Sequence, residues 1–198
     1  MDSKSNSTGT SAYSDDIRQA IDVMNRGGII AYPTDTIWGL GCDATNADAV
    51  RRIYEIKRRD DSKALITLVD SEAKVEFYVK EVPEVAWQLI EVADKPLTII
   101  YDNARNLAPN LIAEDGSIAI RITSEPFSRE LCRRFKKAIV STSANVSGEP
   151  SPKTFAEISR EILDAVNYVC TSRRDENAPH TPSSIIKLGV SGEIKVIR

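Results

Sequence analysis

The sequence predicts a fold of the α/β or α+β class, in which helices pack against a twisted, mixed β-sheet. Helical and strand patterns alternate along the chain, which is typical of sheets whose strands are joined through helices. The length of 198 residues suits one domain of ordinary size. Hydrophobic residues make up 41% and charged residues 28% of the chain, the balance of a soluble globular protein. Neither an internal repeat nor a linker divides the sequence, so one domain is expected.

The first helix and the first strand follow a polar N-terminal segment. Residues 1–12 are small and polar without periodicity, so they are expected to form a disordered tail before a domain of residues 13–198. Ser14 is placed at the N-cap of the helix, whose apolar residues recur at helical spacing until Gly27. The apolar run of residues 28–32 then predicts a buried strand.

The rest of the chain continues this alternation. Thr45 or Asn46 can cap a second helix, which runs into a charged stretch. Apolar residues at helical spacing predict three more helices, at residues 82–93, 126–135 and 154–163. Short apolar and β-branched runs predict strands at residues 64–69, 97–101, 117–122, 138–142, 166–170, 183–188 and 193–198. The last two strands are expected to pair as a hairpin.

Charge, cysteine content and hydropathy narrow the range of functions. The net charge of −3 disfavours a strongly basic RNA-coating protein, although a local basic patch is compatible with it. Cys42, Cys132 and Cys170 are too widely spaced for a structural zinc site, and their odd number favours a reducing compartment. The polar N-terminus does not resemble a signal peptide, and every apolar run is too short to span a bilayer. The protein is therefore expected in the cytoplasm, without a membrane partner.

The first candidate binding loop follows the first predicted strand, in the stretch YPTDTIWGLG. Thr34, Asp35 and Thr36 stand at the carboxyl end of that strand, where ligands usually bind in open α/β sheets. Trp38 can provide an apolar wall. The alternative is a tight turn in which the aspartate side chain bonds to its own backbone. The local sequence does not separate the two interpretations.

The second candidate loop is the cationic stretch KRRDDSK at the end of the second predicted helix. Lys57, Arg58, Arg59 and Lys63 could neutralise a polyphosphate, the arginines through bidentate forks and the lysines as movable point charges. The alternative is a solvated helix end, because cations interact favourably with the negative pole of the helix dipole. Taken alone, this stretch favours the helix end.

The third candidate loop is STSANVSG, residues 141–148, which follows another predicted strand. Its hydroxyl, amide and backbone N–H groups suit phosphate, although the stretch does not match the P-loop pattern. The alternative is a polar surface turn. Three such loops, each beside a predicted buried strand, together predict one composite pocket. Histidine-centred hydrolysis is disfavoured, because His180 is the only histidine and no G-x-S-x-G elbow is present.

The three loops together resemble the motifs of the YrdC family, also called TsaC, the threonylcarbamoyl-AMP synthases. PTDTIWGLGCDA is similar to the family's P-T-(D/E)-T-x-Y-G-L-G motif, IYEIKRRDDSKALITLV to its K-x-R segment, and STSANVSGEPSP to its S-x-N motif. IAIRI resembles the strand that carries a family arginine, and PSSIIKL and the final VIR resemble the end of the domain. The likeness covers roughly residues 14–198.

The resemblance implies a fold and a reaction. The YrdC-type fold has a twisted, mostly open mixed sheet flanked by helices, and a large basic cavity. The family enzymes are nucleotidyltransferases: L-threonine and bicarbonate give a carbamate, which attacks the α-phosphorus of ATP and yields threonylcarbamoyl-AMP and pyrophosphate. Downstream tRNA threonylcarbamoyl transferase proteins then modify ANN-decoding tRNA, and whether tRNA binds this chain directly stays open. The rival interpretation is a non-catalytic RNA-binding or ribosome-maturation factor of the same fold, which the acidic net charge disfavours.

The resemblance also assigns roles to individual residues on two sides of the expected cavity. The ATP side would comprise Lys57, Arg59, Lys63, Ser143, Asn145, Ser151 and Arg198. The threonine side would comprise Thr36, Trp38, Arg121, Ser141 and Ser183. The catalytic residues would be Lys57, Arg59, Ser143 and Asn145. Mg2+ would be held mainly by ATP, with no protein ligand assigned.

Three positions depart from the family pattern. Trp38 stands where the family commonly has tyrosine, ADKPLTII replaces the family's PGPLT segment, and Ser184 replaces a commoner threonine. None of these changes removes a cation or the S-x-N residues, so the activity is expected to be retained. The chain is expected to be the short form of the family, without the extra C-terminal domain of longer members.

Overall fold

The structure, a computed structural model, describes residues 13–59, 65–176 and 182–198. The predicted tail, residues 1–12, lies outside these ranges. The helices are α1 (Ser14–Asn25), α2 (Ala47–Lys57), α3 (Glu72–Tyr78), α4 (Val85–Val92), α5 (Pro126–Phe135) and α6 (Arg160–Ala165). The strands are β1 (Ile30–Tyr32), β2 (Gly39–Gly41), β3 (Ile66–Val69), β4 (Leu97–Tyr101), β5 (Ile118–Ile122), β6 (Ile139–Ser143), β7 (Tyr168–Val169), β8 (Ser184–Leu188) and β9 (Ile194–Val196).

The strands of the described ranges form one mixed sheet in the order β7-β1-β2-β6-β3-β5-β4-β8-β9. The pairs β1/β7, β3/β5 and β4/β8 are parallel, and the other neighbours are antiparallel. The predicted class, a twisted mixed sheet flanked by helices, is therefore confirmed. The predicted pairing of the last two strands is also confirmed, since β8 and β9 are antiparallel neighbours.

Helices cover both faces of the sheet. Consecutive residues of a strand point to opposite faces, and here they enter two different apolar clusters: Ile29 and Val140 belong to the first, Ile30 and Ile139 to the second. Side chains of α2, α3 and α4 fill the first cluster, and those of α1, α5 and α6 fill the second. Most of the residues in both clusters come from predicted apolar runs, but α3, which the sequence patterns did not predict, adds Val75 and Tyr78 to the first cluster.

Local side-chain chemistry sets the helix ends, with two corrections to the prediction. Asn46 caps α2 as predicted and accepts hydrogen bonds from two N–H groups of its first turn. Ser14 is the first residue of α1 and not its cap, because Tyr13 occupies the cap position and its carbonyl accepts the first helical hydrogen bond. The predicted helix at residues 154–163 is divided into a short 3-10 turn and α6, which begins after the cap residue Ser159.

The short strand β2, which the sequence patterns did not predict, brings two candidate loops together. Its sequence is Gly-Leu-Gly, and it lies between β1 and β6. A Cβ atom at Gly41 would lie 2.6 Å from Cε1 of Tyr32 and 3.1 Å from the carbonyl oxygen of Val140, so this close approach requires glycine. Gly39 pairs with Ser143. The loop after β1 therefore meets the end of β6.

No helix in the described part of the chain is both long and apolar enough to cross a membrane.

Candidate functional site

One cavity of about 210 Å³ lies against strands β2, β3, β5, β6 and β8. Its lining residues are Thr36, Ile37, Gly39, Arg59, Leu65, Ile66, Arg121, Ser141, Thr142, Ser143, Ser151, Pro182, Ser183, Ile185 and Arg198. Eight of them are predicted site residues: Thr36, Arg59, Arg121, Ser141, Ser143, Ser151, Ser183 and Arg198. The structure thus brings residues from all three candidate loops into one place.

Sheet pairing explains why residues so distant in sequence meet here. Ser143 of β6 is paired with Gly39 of β2, and Ser141 with Ile66 of β3. Arg121 of β5 lies one strand further along the sheet. These pairings place the loop after β1, the end of β6 and the arginine of β5 around the same space.

Arg121 is the buried cation of the cavity, with only 2% of its side chain exposed. Its Nη2 atom lies 3.0 Å from Oδ1 of Asp35 and 3.4 Å from Oγ1 of Thr36, and Nη1 lies 3.4 Å from Oγ1 of Thr98. Its Nε atom is buried without a hydrogen-bond partner in the described part of the chain. The guanidinium is therefore held in a fixed orientation and keeps unused donor capacity.

Asp35 belongs to the first candidate binding loop, but the family resemblance assigned it no role at the site. Its side chain is 8% exposed. Burial raises the pKa of Asp35, and the nearby Arg121 guanidinium opposes that rise. A buried cation such as Arg121 needs a carboxylate partner. The aspartate of the PTDT stretch could have been proposed as that partner from the sequence.

Hydroxyl groups connect the loop after β1 to the segment before β8. Thr34 Oγ1 accepts a hydrogen bond from the Thr36 N–H at 3.1 Å, donates to the carbonyl of Ile37 at 2.8 Å, and lies 3.0 Å from Oγ1 of Thr36. On the other side of Arg121, the hydroxyls of Thr98 and Ser183 lie 2.8 Å apart. The threonine-rich loop is therefore a structured turn whose Thr36 hydroxyl also lines the cavity.

Lys57 and Asn145 are placed behind the cavity and do not line it, which differs from their predicted direct contact with ATP. Lys57 is 1% exposed, and its Nζ atom donates to the carbonyl oxygens of Ser143 and Asn145 and to Oδ1 of Asn145. The Asn145 amide in turn donates to the carbonyl oxygens of Val146 and Glu149. The physical reason for their position is that these groups satisfy each other and shape the loop after β6.

Burial lowers the pKa of Lys57 to about 8, with a smaller contribution from the positive charge of Arg59. The three oxygen acceptors around Nζ favour the charged form, so the ammonium is the form that organises the loop. Arg59 is the residue of the K-x-R segment that does line the cavity.

Trp38, which is expected to line the threonine pocket, packs its ring in the core and lines a small void beside Thr36 and Ile37. It is 5% exposed and lies 4.9 Å from the ring of Phe155, measured between centroids. Trp38 is absent from the lining of the main cavity. An indole ring is large and apolar, so packing against a second aromatic ring stabilises it more than exposure to a polar cavity.

Two residues singled out in the sequence, Lys63 and His180, lie outside the described residues. Arg198 is positioned by a hydrogen bond from its Nε atom to the carbonyl of Ser183, at 3.2 Å.

The lining contains three arginines and no acidic residue among those described, but one of these arginines, Arg121, is already paired with Asp35. The cavity is smaller than the roughly 300–1,000 Å³ of usual ligand pockets, so the large basic cavity that was predicted is not supported.

The donors in this cavity suit a metal that arrives with its substrate. The described residues contain no group of three or more His, Cys, Asp or Glu side chains able to hold a metal ion. The cavity offers hydroxyl groups from Ser141 and Ser143. Mg2+ is commonly bound through substrate phosphates and water with few protein ligands, and neutral hydroxyls fit that arrangement.

Comparison with known proteins agrees with the sequence motifs. The Sua5_yciO_yrdC family model, described as "Telomere recombination", matches residues 22–198. A threonylcarbamoyl-AMP synthase of Vibrio cholerae is 32% identical over 177 residues, which are 88% of this chain and 93% of that protein. A threonylcarbamoyl-AMP synthase of Pseudoalteromonas translucida is 32% identical over 181 residues, 90% and 95% of the two chains.

Two solved structures share the fold of this chain. P. abyssi Sua5 complexed with L-threonine superposes with a TM-score of 0.80 at 26% identity, covering 92% of this chain and 53% of that one, so this chain spans about half of Sua5. E. coli YciO superposes with a TM-score of 0.79 at 23% identity, covering 92% of this chain and 87% of that one. This likeness supports the fold alone. With the family model matching most of its length and the two synthases nearly a third identical to it, the chain belongs to the Sua5/YciO/YrdC family.

Proposed function

We propose that the protein is an L-threonylcarbamoyladenylate synthase. It converts L-threonine, bicarbonate and ATP into threonylcarbamoyl-AMP, pyrophosphate and water, and so acts as a nucleotidyltransferase. The observation that carries this proposal is the single cavity in which the buried Arg121 and the loop arginine Arg59 both take part. Arg121 suits the carboxylate of an amino acid, and Arg59 suits the phosphates of a nucleotide.

Arg121 binds the carboxylate of threonine in this proposal. Its guanidinium is fixed by Asp35, Thr36 and Thr98, so it loses little further conformational entropy when a ligand binds. The hydroxyls of Thr36, Ser141 and Ser183, which also line the cavity, hydrogen-bond the amino acid. Apolar lining from Ile37, Leu65, Ile66 and Ile185 provides a surface for its methyl group.

The nucleotide lies on the side of Arg59, Ser143, Ser151 and Arg198. Arg59 neutralises phosphate charge, and the two serine hydroxyls and Arg198 contact the nucleotide. Lys57 and Asn145 act one step removed, because they hold the loop that presents Ser143. Mg2+, bound to the phosphates, supplies further charge neutralisation at the polyphosphate.

Catalysis rests on alignment and charge. The carbamate formed from threonine and bicarbonate is itself the nucleophile, so its oxygen attacks the α-phosphorus and pyrophosphate leaves. Bringing these two anionic groups together requires fixed cations and a fixed geometry, which can supply most of the rate enhancement of such a transfer. The lining carries no histidine or carboxylate among the described residues, and this step requires no general base.

A non-catalytic RNA-binding role is the weaker alternative. An RNA clamp has no need of a buried arginine inside a small hydroxyl-lined cavity, whereas an enzyme that binds an amino acid does. The solved Sua5 complexed with L-threonine, which shares the fold, favours the enzymatic role. The product would be passed to proteins that modify tRNA in the cytoplasm, where the three free, buried cysteines stay reduced.

Pyrophosphate release tests the proposal directly. Purified protein with ATP, Mg2+ and bicarbonate should release pyrophosphate only after L-threonine is added, and removal of bicarbonate should stop the release. D-threonine and L-valine serve as matched controls, because the first changes only the chirality and the second replaces the hydroxyl by a methyl. Pyrophosphate release that is independent of the amino acid would refute the assignment.

Lys57 should give this activity an alkaline limit. Its ammonium organises the loop of Ser143, so the rate is expected to fall as the pH rises through the Lys57 pKa of about 8. Well above that pH the fall approaches about tenfold per pH unit. Stability moves the other way: an unfolded lysine keeps its proton up to about 10.4, so between these values the unfolded state binds more protons and the free energy of unfolding rises with pH.

The measurement is the pH dependence of pyrophosphate release in the wild type and in Lys57→Arg. The guanidinium stays charged throughout this range, so any activity retained by the variant should extend to higher pH. Ionisation of the substrates is the same for both proteins and cancels in the comparison. An identical alkaline limb in the two proteins would show that Lys57 does not control it.

A further inference from the structure

Arg173 lies behind the loop of Thr36 and joins its own segment to two others, the loop after β1 and the start of α5. Its guanidinium donates to the carbonyl oxygen of Thr34 at 3.1 Å, lies 2.9 Å from the carboxylate of Glu125, and contacts the carboxylate of Glu176 at 2.7 Å. Its side chain is only 10% exposed. Arg173 is not among the residues that the sequence motifs predict for the site.

The backbone of Arg173 is also unusual. Its φ angle is +61°, in the left-handed region that a non-glycine residue adopts only at a cost in free energy. The interactions of the side chain offset that cost. Strain of this kind is retained where the surrounding structure needs it, which often occurs near functional sites.

The loop that Arg173 contacts forms a wall of the main cavity. A second void of about 10 Å³ lies on the Arg173 side of this wall, and Thr36 and Ile37 line both spaces. A void of this size has room for about one water molecule and no larger ligand. Arg173 therefore supports the wall from behind and does not itself contact a substrate.

The contacts continue from Arg173 to the buried cation of the site. The Thr34 hydroxyl bonds to the Thr36 N–H, and the Thr36 hydroxyl lies 3.4 Å from Nη2 of Arg121. On its other side, Arg173 is fixed by Glu125, whose carboxylate caps α5. A rigid helix end is thereby linked through Arg173 to the loop beside Arg121.

We propose that Arg173 is a positioning residue for the amino-acid side of the cavity. It holds Thr34, and through it Thr36, at the place that Arg121 and the substrate require. The planar guanidinium is suited to this task because it reaches a carbonyl and two carboxylates at once, which a lysine ammonium does not do with the same fixed geometry. The expected effect on threonine binding rests on the proposed function, whereas the expected effect on the rigidity of the loop does not.

Amide hydrogen exchange of the ligand-free protein tests the structural part. In Arg173→Gln, the amides of residues 34–37 are expected to exchange about tenfold faster than in the wild type, because their support is lost and local opening becomes easier. The amides of β4 and β5 should be unchanged. Arg160→Gln is the matched control, since Arg160 lies in an exposed ion pair with Asp164 on α6. Unchanged exchange of residues 34–37 would overturn the proposal.

Calorimetric binding tests the functional part. Arg173→Gln should raise the Kd for L-threonine about tenfold and leave the Kd for ATP within about twofold, and Arg173→Lys should fall between the glutamine variant and the wild type. Equal weakening of both ligands would indicate a general structural role and would overturn the proposal. If the wild type binds no threonine, the proposed function fails, while the exchange result still decides whether Arg173 supports the loop.

Discussion

Replacing Arg121 with methionine is expected to abolish threonine-dependent pyrophosphate release and to lower the free energy of unfolding by about 3–5 kcal/mol. Activity is lost because the proposed partner of the substrate carboxylate is removed. Stability is lost because Asp35, 8% exposed and 3.0 Å from the guanidinium, stays buried without its cation. Urea unfolding and the pyrophosphate assay measure the two effects separately.

The loss of stability should depend on pH with a definite sign. Burial already raises the pKa of Asp35, and Arg121 opposes this rise, so the variant should have an Asp35 pKa that is higher still. The folded variant then binds more protons than the unfolded chain between the ordinary and the raised pKa. Its stability is therefore expected to fall as the pH rises through that window, and the defect should be smaller at acidic pH.

The double variant Arg121→Met/Asp35→Asn separates the two effects. Removing the aspartate charge together with its cation should restore much of the stability, because no unpaired charge remains buried. It should not restore activity, since the carboxylate of threonine still has no cation. A double variant as unstable as the single one would contradict the role of the ion pair, and threonine-dependent turnover without Arg121 would contradict its role in binding.

Replacing Arg59 with alanine is expected to reduce turnover by about 100- to 1,000-fold, the effect of losing one positioned charge at a reacting group. The free energy of unfolding should change by less than about 0.5 kcal/mol, because the Arg59 side chain is only half-buried and the residue lies just after the end of α2. Steady-state kinetics and urea unfolding test both statements.

The neighbouring Arg58 provides a control of the same residue type. It is exposed and forms an ion pair with Glu161 on α6, and it does not line the cavity. Arg58→Ala should therefore keep near wild-type turnover. Similar losses in the two variants would mean that the net charge of this region matters, and not the position of Arg59. An unfolded Arg59→Ala protein would assign a structural role to that residue.

The parts of the fold that follow local rules could be predicted from the sequence. Asn46 as a cap and the buried strands of the sheet core are set by nearby residues and by hydrophobic pattern. β2 was missed because Gly-Leu-Gly carries no strand pattern, and its conformation depends on tertiary contacts with Tyr32 and β6. Ser14 was misplaced because the carbonyl of Tyr13 begins the helix one residue earlier.

The site shows a similar division. The cationic stretch and the family resemblance pointed to Arg59, and the resemblance alone pointed to Arg121; both residues line the cavity. A motif does not show which of its residues face the cavity and which shape the loop behind it. Lys57 was therefore predicted to hold phosphate, whereas its ammonium donates to backbone carbonyl oxygens in the structure. Asp35 and Arg173 become important through contacts that only the folded chain contains.

A crystal structure with L-threonine and a non-hydrolysable ATP analogue tests most directly whether one cavity gathers both substrates. Both ligands should occupy the cavity together. The carboxylate of threonine should lie within about 3 Å of the Arg121 guanidinium, and the phosphates at a similar distance from Arg59. If the two ligands bind to separate surfaces, or if either one binds without contacting its arginine, the proposed synthase site is wrong.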